Sequence, residues 1–346
     1  MKHQTTRYGE IPFYKIGTFG NTADAFISKK LFLEYKTKYS FPKKGDILIS
    51  ASGTIGRAVI YDGKPAYFQD SNIVWIDNDE TLVKNDFLFY AYSNVKWDTE
   101  HTTILRLYND NFRNTLIPLP PLNEQIAIAN ILSDVDRYLY SLDALILKKE
   151  SVKKALSFEL LSQRKRLKGF NQAWQRVRLG DIANYLTSNL SAEQITQQGK
   201  IKVYDVNNFI GYTDTTFISD KPYISIVKDG SVGRVRILPP KTNILSTMGA
   251  LIANHRTTTE FLFYLLSNFD FKNFTSGSII PHIYFKDYKE KTIFLPPLNE
   301  QSAIANILSG LDNEIISLKN KKRQFDNIKK ALNHDLMSAK IRVLKK

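Results

Sequence analysis

Two stretches of the chain carry an apolar seam that advances by alternating steps of four and three residues. The first runs through Val135, Leu139, Leu142, Ile146, Lys149, Lys153, Leu156 and Leu160, and the second through Leu311, Ile315, Leu318, Lys322, Phe325, Lys329, Leu332 and Leu336. Heptads of this kind in common register predict two long helices paired as a coiled coil. Lysines within the seam sit most easily beside an acidic partner. Each stretch is preceded by Leu-Pro-Pro-Leu-Asn-Glu-Gln, at 119–125 and 295–301. A proline followed by an N-cap type residue predicts helices that begin at Glu124 and Glu300. Ser133-x-x-Asp136 and Ser309-x-x-Asp312 resemble capping boxes, so a bend and a restart are expected there.

The seams belong to an internal repeat, which has to be recognised before any local reading. Residues 119–136 and 295–312 agree at 15 of 18 positions. Weaker echoes lie upstream. Asp46 to Ala51, Gly53 to Gly56 and Ala58 to Tyr61 read as strand, glycine turn and strand, and Ile224 to Val227, Gly230 to Gly233 and Val235 to Leu238 repeat the arrangement. Phe87 to Asn94 and Phe261 to Asn268, apolar at nearly every position, predict short buried helices. The expected class is therefore α+β: recognition-type α/β domains at 1–118 and 169–294 alternate with helical regions at 119–168 and 295–346. A helix from about Ser133 to Gln163 would be roughly 45 Å long. Antiparallel pairing with its twin would relate the two repeats by an approximate two-fold axis.

Composition narrows the chemistry. The 346 residues include no cysteine, which excludes disulfides, thiolate metal sites and thiol nucleophiles, and the five histidines show no metal-ligand spacing. The amino terminus lacks the apolar core of a leader and no run of 18 apolar residues occurs, so a cytoplasmic protein without a membrane span is expected. Lys and Arg number 48 against 34 Asp and Glu, a net charge of +14. The four segments contribute +2, +3, +4 and +5, so the excess is spread along the chain rather than gathered in a tail. That balance favours a polyanionic partner such as nucleic acid.

The candidate contact residues fall in two places per repeat. In the turns Gly53-Thr54-Ile55-Gly56-Arg57 and Gly230-Ser231-Val232-Gly233-Arg234, glycine lets backbone amides approach a phosphate, and the arginine supplies a forked cation. A plain hairpin turn with a solvated arginine fits the same pattern. The segments before each proline motif hold Arg106, Asn109, Asn111 and Arg113 in one copy and His282, Tyr284 and Lys286 in the other, side chains suited to base edges and phosphates. A polar surface loop is the alternative for each. No phosphate loop, dinucleotide fingerprint, zinc-protease motif or nucleophile elbow is present. Asp24 with Glu34 and Lys36 makes only a chance-level nuclease pattern.

The duplicated Leu-Pro-Pro-Leu-Asn-Glu-Gln, followed by Ile128-Ala129-Asn130-Ile131-Leu132 and by Ile304-Ala305-Asn306-Ile307-Leu308, resembles the specificity subunits of type I restriction-modification systems over nearly the whole chain. The resemblance implies that each recognition domain reads one half of a bipartite target in double-stranded DNA. It implies that the antiparallel helices set the spacer and dock two methyltransferase subunits, with restriction and translocase subunits joining for cleavage. The docking residues would include Asn123, Glu124, Gln125, Leu139 and Leu142, with Asn299, Glu300, Gln301, Ile315 and Leu318. On this reading the chain is not an enzyme and binds no cofactor or metal; S-adenosylmethionine, ATP and magnesium belong to the partners. A subunit of a fused nuclease-methylase, a paralogue that binds methyltransferase but not DNA, and a nuclease or methyltransferase acting alone are the competing readings. One departure stands out. The second domain opens with Trp174-Gln175-Arg176-Val177-Arg178-Leu179-Gly180-Asp181-Ile182, and if Gly9 matches Gly199 this opening has no counterpart in the first domain, which is then expected to lack an edge strand.

Overall fold

A computed structural model describes residues 4–69, 72–97 and 106–344. The chain divides into two compact units, one made of residues up to Asp143 together with Asn320 onward, the other of Ala144–Lys319.

In the first unit, β1 (Ile11–Tyr14), β2 (Ala25–Ile27) and α1 (Lys29–Lys38) are followed by β3 (Ile47–Ser50), β4 (Ala58–Ile60), β5 (Tyr67–Phe68) and β6 (Ile73–Trp75). Then come α2 (Asn85–Tyr92), the single turn α3 (Asn109–Arg113) and α4 (Leu122–Leu161). Two three-stranded sheets form, in the orders β2-β1-β5 and β4-β3-β6. All four residues of β3 are buried, as a central strand with both faces covered requires. The α2 helix follows the expected buried pattern, with Phe87, Leu88, Tyr90, Ala91 and Tyr92 all inside.

The second unit repeats this plan and adds to it. After α4 come β7 (Gln175–Arg178), β8 (Ala183–Thr187), β9 (Ile201–Tyr204), β10 (Phe209–Thr213), β11 (Tyr223–Val227) and β12 (Val235–Leu238). There follow β13 (Thr242–Ile244), β14 (Met248–Ala253), α5 (Thr259–Ser267), β15 (Thr275–Ser276), β16 (His282–Ile283), α6 (Phe285–Tyr288), β17 (Thr292–Leu295) and α7 (Leu298–Met337). The sheet orders β10-β9-β13 and β12-β11-β14 match those of the first unit, but β8 extends the second of them and β7 pairs antiparallel with β17. Among the described residues, neither β7 nor β8 has a counterpart in the first unit, where β6 ends its sheet. The matching of Gly9 with Gly199 holds. Thr6 bridges Phe26 as Thr196 bridges Tyr212, and a Cβ on either glycine would lie 2.8 Å from the facing Cβ of Phe26 or Tyr212.

Both units contain part of α4 and part of α7, and in each the two helices run antiparallel. In the first, Asp143 meets Lys322 at 3.0 Å, Asp136 meets Lys329, and the Tyr138 ring packs 4.6 Å from that of Phe325. In the second, Lys149 meets Glu314 at 2.7 Å, Glu150 meets Lys319 at 2.6 Å, and Lys153 meets Asp312. The seam lysines thus find their acidic partners on the opposite helix of this same chain.

Two local expectations are corrected. The helices begin at Leu122 and Leu298, not at Glu124 and Glu300, and each continues for 40 residues with no restart at Ser133 or Ser309. The reason lies in the side chains. Ser133 and Ser309 hydroxyls donate back to the carbonyls of Asn130 and Asn306, at 3.0 and 3.1 Å, so they cap nothing. The carboxylates of Asp136 and Asp312 accept instead from the Tyr90 and Tyr264 hydroxyls.

Candidate DNA interface and the helix junctions

The strand, turn, strand element places each glycine turn at one end of a sheet. Ser50 N donates to the Arg57 carbonyl at 3.0 Å and Gly56 N to the Ser50 carbonyl at 3.0 Å; Val227 to Arg234 and Gly233 to Val227 repeat both bonds at 2.9 Å. Closing this loop requires left-handed backbone, with φ of 81° at Gly56 and 80° at Gly233. A ring then covers each of these glycines. A Cβ on Gly56 would overlap the Trp97 indole, and one on Gly233 would lie 2.6 Å from the Phe271 ring. Those two glycines therefore answer to aromatic packing, and their backbone faces a ring rather than open solvent. Gly53 and Gly230, also at positive φ, and Thr54 and Ser231 stand exposed at the turn tips.

The pre-proline segments, some fifty residues away in sequence, are brought to these turns by equivalent bridges. Ser52 bridges Arg106 in the first unit, and Asp229 bridges His282 in the second. Around the first bridge, Asn72 Oδ1 accepts from Ser52 Oγ at 2.9 Å and from Arg106 Nη2 at 3.2 Å. Around the second, His282 Nδ1 lies 2.7 Å from Asp229 Oδ1, the His282 and Tyr284 rings stack 6.4 Å apart, and Lys286 Nζ sits 5.5 Å from the Tyr284 ring centre. One scaffold thus presents two different polar surfaces.

The individual candidates separate by what holds them. Arg234 is exposed and, among the described residues, its guanidinium makes no hydrogen bond or ion pair. Arg57 is exposed too, but its Nη1 donates to the Phe19 carbonyl at 3.1 Å. Asn109 is exposed, as is Arg113, whose Nη1 lies 3.7 Å from Asp110. Asn111 Oδ1 accepts from Tyr108 N at 2.8 Å and so caps α3. The residues that sequence reasoning missed, Asn72, Asp229, Trp97 and Phe271, carry no periodic signal; only the bridges and the ring contacts bring them to the turns.

The residues expected to dock partners are held by contacts within the chain. Gln125 and Gln301 are buried clamps that tie each long helix to the loop before α2 or α5. Gln125 Oε1 accepts from Lys84 N at 2.8 Å while its Nε2 donates to the Leu82 and Pro120 carbonyls. Gln301 repeats this with Thr258 N at 3.0 Å and the Arg256 and Pro296 carbonyls. Glu124 takes a fork from Arg342, with Nη2 2.9 Å from Oε2, and Glu300 takes one from Arg166 at 2.6 Å. The Arg342 guanidinium, through its hydrogen bonds, holds the Glu124 carboxyl below its usual range. Leu139, Leu142 and Ile315 are buried, and Leu318 is half-buried. All of these are committed within the chain, leaving Asn123 and Asn299 exposed.

A further lock joins α2 and α5 to the helix pair. Tyr90 Oη donates to Asp136 Oδ2 at 2.8 Å, and Tyr264 Oη to Asp312 Oδ2 at 2.9 Å. Lys329 and Lys153, which pair with those carboxylates, lie 5.7 and 5.8 Å from the same two ring centres. Burial first, and then the bond to the carboxylate, pushes both phenols well above their ordinary value. Among the described residues, no group of three His, Asp or Glu could hold a metal ion, and no helix is long and apolar enough to cross a membrane.

A duplicated α+β unit in which like helix junctions accompany glycine turns with different polar surroundings defines a class: paired globular parts on a repeated scaffold. The family described as type I restriction modification DNA specificity domain matches residues 1–149 and again 171–325. The chain belongs to that family and carries two copies of its domain. It is 65% identical over 133 residues to a putative type I restriction enzyme specificity subunit of Haemophilus influenzae, a match covering 38% of this chain and 34% of that one. It is 29% identical over 335 residues to the putative type I restriction enzyme MjaX specificity subunit of Methanocaldococcus jannaschii, covering 86% of this chain and 79% of that one. Among solved structures, the type I restriction-modification S subunit from M. genitalium shares the fold at a TM-score of 0.63 and 20% identity, covering 97% of this chain and 91% of that one.

Proposed function

We propose that this chain is the DNA-reading subunit of a type I restriction-modification complex, each unit recognising one half of a bipartite target. The observation that carries this reading is the equivalent pair of bridges, Ser52 to Arg106 and Asp229 to His282, which set different polar side chains on one scaffold beside each glycine turn. Unlike polar surfaces on like frames suit unlike half-sites, with exposed arginines positioned for phosphates and base edges. The chain itself catalyses nothing on this reading. Two methyltransferase subunits dock on it, in the cytoplasm, and bring S-adenosylmethionine; restriction subunits bring ATP and magnesium. Because the apolar seam is used inside the chain, docking falls to the exposed helix faces, including Asn123 and Asn299.

Helix length sets the spacer. Removing one heptad from each of α4 and α7 keeps the seam in register and shortens the pair by about 10 Å, on the order of three base pairs. Methylation mapping of this variant with its partners is expected to show both half-sites unchanged and a shorter spacer; an unchanged spacer refutes this role of the helices.

A further inference from the structure

The first unit holds an aromatic cleft of about 400 Å³, a volume within the range that accepts one small planar ligand. Tyr14 and Phe68, neighbours on β1 and β5, stack with ring centres 5.8 Å apart, and Tyr61 meets Phe68 edge-on at 5.7 Å. Leu48 and Phe19, both buried, line the inner side. Among the described residues, neither the Tyr14 hydroxyl nor the exposed Asn21 amide makes a hydrogen bond. The second unit treats the same place differently. By strand register, Tyr14, Leu48, Val59 and Phe68 correspond to Tyr204, Ser225, Arg236 and Ile244. There the Arg236 guanidinium lies 5.3 Å from the Tyr204 ring centre and its Nη1 donates to the Asn207 carbonyl at 3.0 Å. A cation thus covers the ring that Val59 leaves to the cleft in the first unit.

The cleft adjoins the glycine turn. Arg57 Nη1 donates to the Phe19 carbonyl at 3.1 Å, and Arg57 Cδ lies 3.8 Å from where a Cβ on Gly20 would stand; Phe19 and Gly20 both line the cleft. Arg57 is exposed and, among the described residues, meets no carboxylate, whereas Lys64 at the rim is paired with Asp62 at 3.2 Å. Aromatic walls with one forked cation beside them have the chemistry of a single nucleotide, whose base stacks on the rings while its phosphate takes the arginine. One such cation matches one phosphodiester, whereas a free di- or triphosphate calls for several. Duplex DNA supplies an unpaired base during modification, because methyltransferases extrude the base they modify and so leave its partner without a pair.

We propose that the cleft of the first unit receives one unpaired base of the bound DNA. Tyr14 and Phe68 supply the stacking surface, Asn21 faces the base edge, and Arg57 takes the flanking phosphate. This rests on the DNA-reading function proposed above and adds an asymmetry to it, since the second unit, with Arg236 in place, takes no base there.

The test compares two duplexes of one sequence, fully paired or carrying one unpaired thymidine, titrated against the full chain. The unpaired duplex is expected to bind about tenfold more tightly. Val59→Arg, which supplies the residue that the second unit carries at this position, is expected to abolish that preference. Asn21→Ala, at an exposed side chain without bonds, is expected to reduce the preference while leaving the fold intact. Equal affinity for the two duplexes, or a preference that survives both substitutions, would overturn the cleft as a base site and leave the DNA-reading function standing. Failure to bind either duplex would overturn that function itself. Free thymidine 5′-monophosphate that displaces the unpaired duplex at equal concentration would overturn DNA as the source of the base.

Discussion

Around Leu308 the second unit packs Trp174, Val177, Leu179 and Ile182 together with α5 and α7 in one large apolar cluster, and a second, smaller one gathers around Tyr223 and Ile244. Around Leu132 the first unit gathers Phe87, Ile128, Ala129, Leu336 and Met337 in a small cluster, and the rest of its core lies in three separate ones. The two junctions between globular part and helix are nevertheless equivalent. Both have a glutamine clamp, an arginine fork on a glutamate, and a Tyr, Asp and Lys lock. Directional polar contacts thus fix the joint in both copies, while the amount of apolar packing behind it differs. The comparison teaches that the joint holding a globular part on the helices and the apolar packing behind that joint are separable.

The largest expected difference follows from the cores. Leu308→Ala and Leu132→Ala each remove a fully buried side chain and are expected to cost about 2–5 kcal/mol, because the cavity left behind relaxes only partly. Leu308→Ala should fall at the upper end, since its continuous surroundings cannot collapse, and Leu132→Ala at the lower. Urea unfolding of both variants checks this; equal losses would break the comparison of the cores. The locks should behave alike. Tyr90→Phe and Tyr264→Phe each delete one hydrogen bond to a carboxylate and are expected to cost about 1.5 kcal/mol apiece. Clearly unequal losses would show that the joints are not equivalent.

The smallest effect is one of pH. Arg342 lowers the folded-state value of the Glu124 carboxyl, so the stabilisation is present above the ordinary carboxylate value and is lost as pH falls through the lower, folded one. Melting temperatures taken downward from neutral pH should therefore decline less in Glu124→Gln than in the parent chain. Identical declines would show that the fork contributes nothing.

The helix pair, the glycine turns and the short buried helices were legible because each is a local pattern: a heptad, a left-handed turn, an apolar run. The class of the fold follows from the repeat, and so does the matching of Gly9 with Gly199. What could not be read was long-range. Nothing near Asp136 announces Tyr90 or Lys329, and the spacing of Ser133 to Asp136 fits a capping box although the Ser133 hydroxyl bonds back to Asn130. The resemblance assigns Glu124 and Gln125 to docking, and nothing near them in sequence announces that both are buried and bonded by Arg342 and by the loop before α2. Of the contact candidates, Arg57, Arg106, Arg234 and His282 are gathered at the turns, while Asn111 is a helix cap.

The central claim is that two unlike readers act independently on one scaffold. It is tested most directly by mapping modified bases in DNA treated with the chain and its methyltransferase partners, using Arg57→Ala and Arg234→Ala beside the parent. Each substitution is expected to relax or weaken one half-site and leave the other unchanged, at about 1–3 kcal/mol in recognition. Equal loss at both half-sites from either substitution, or no loss from both, would contradict the claim.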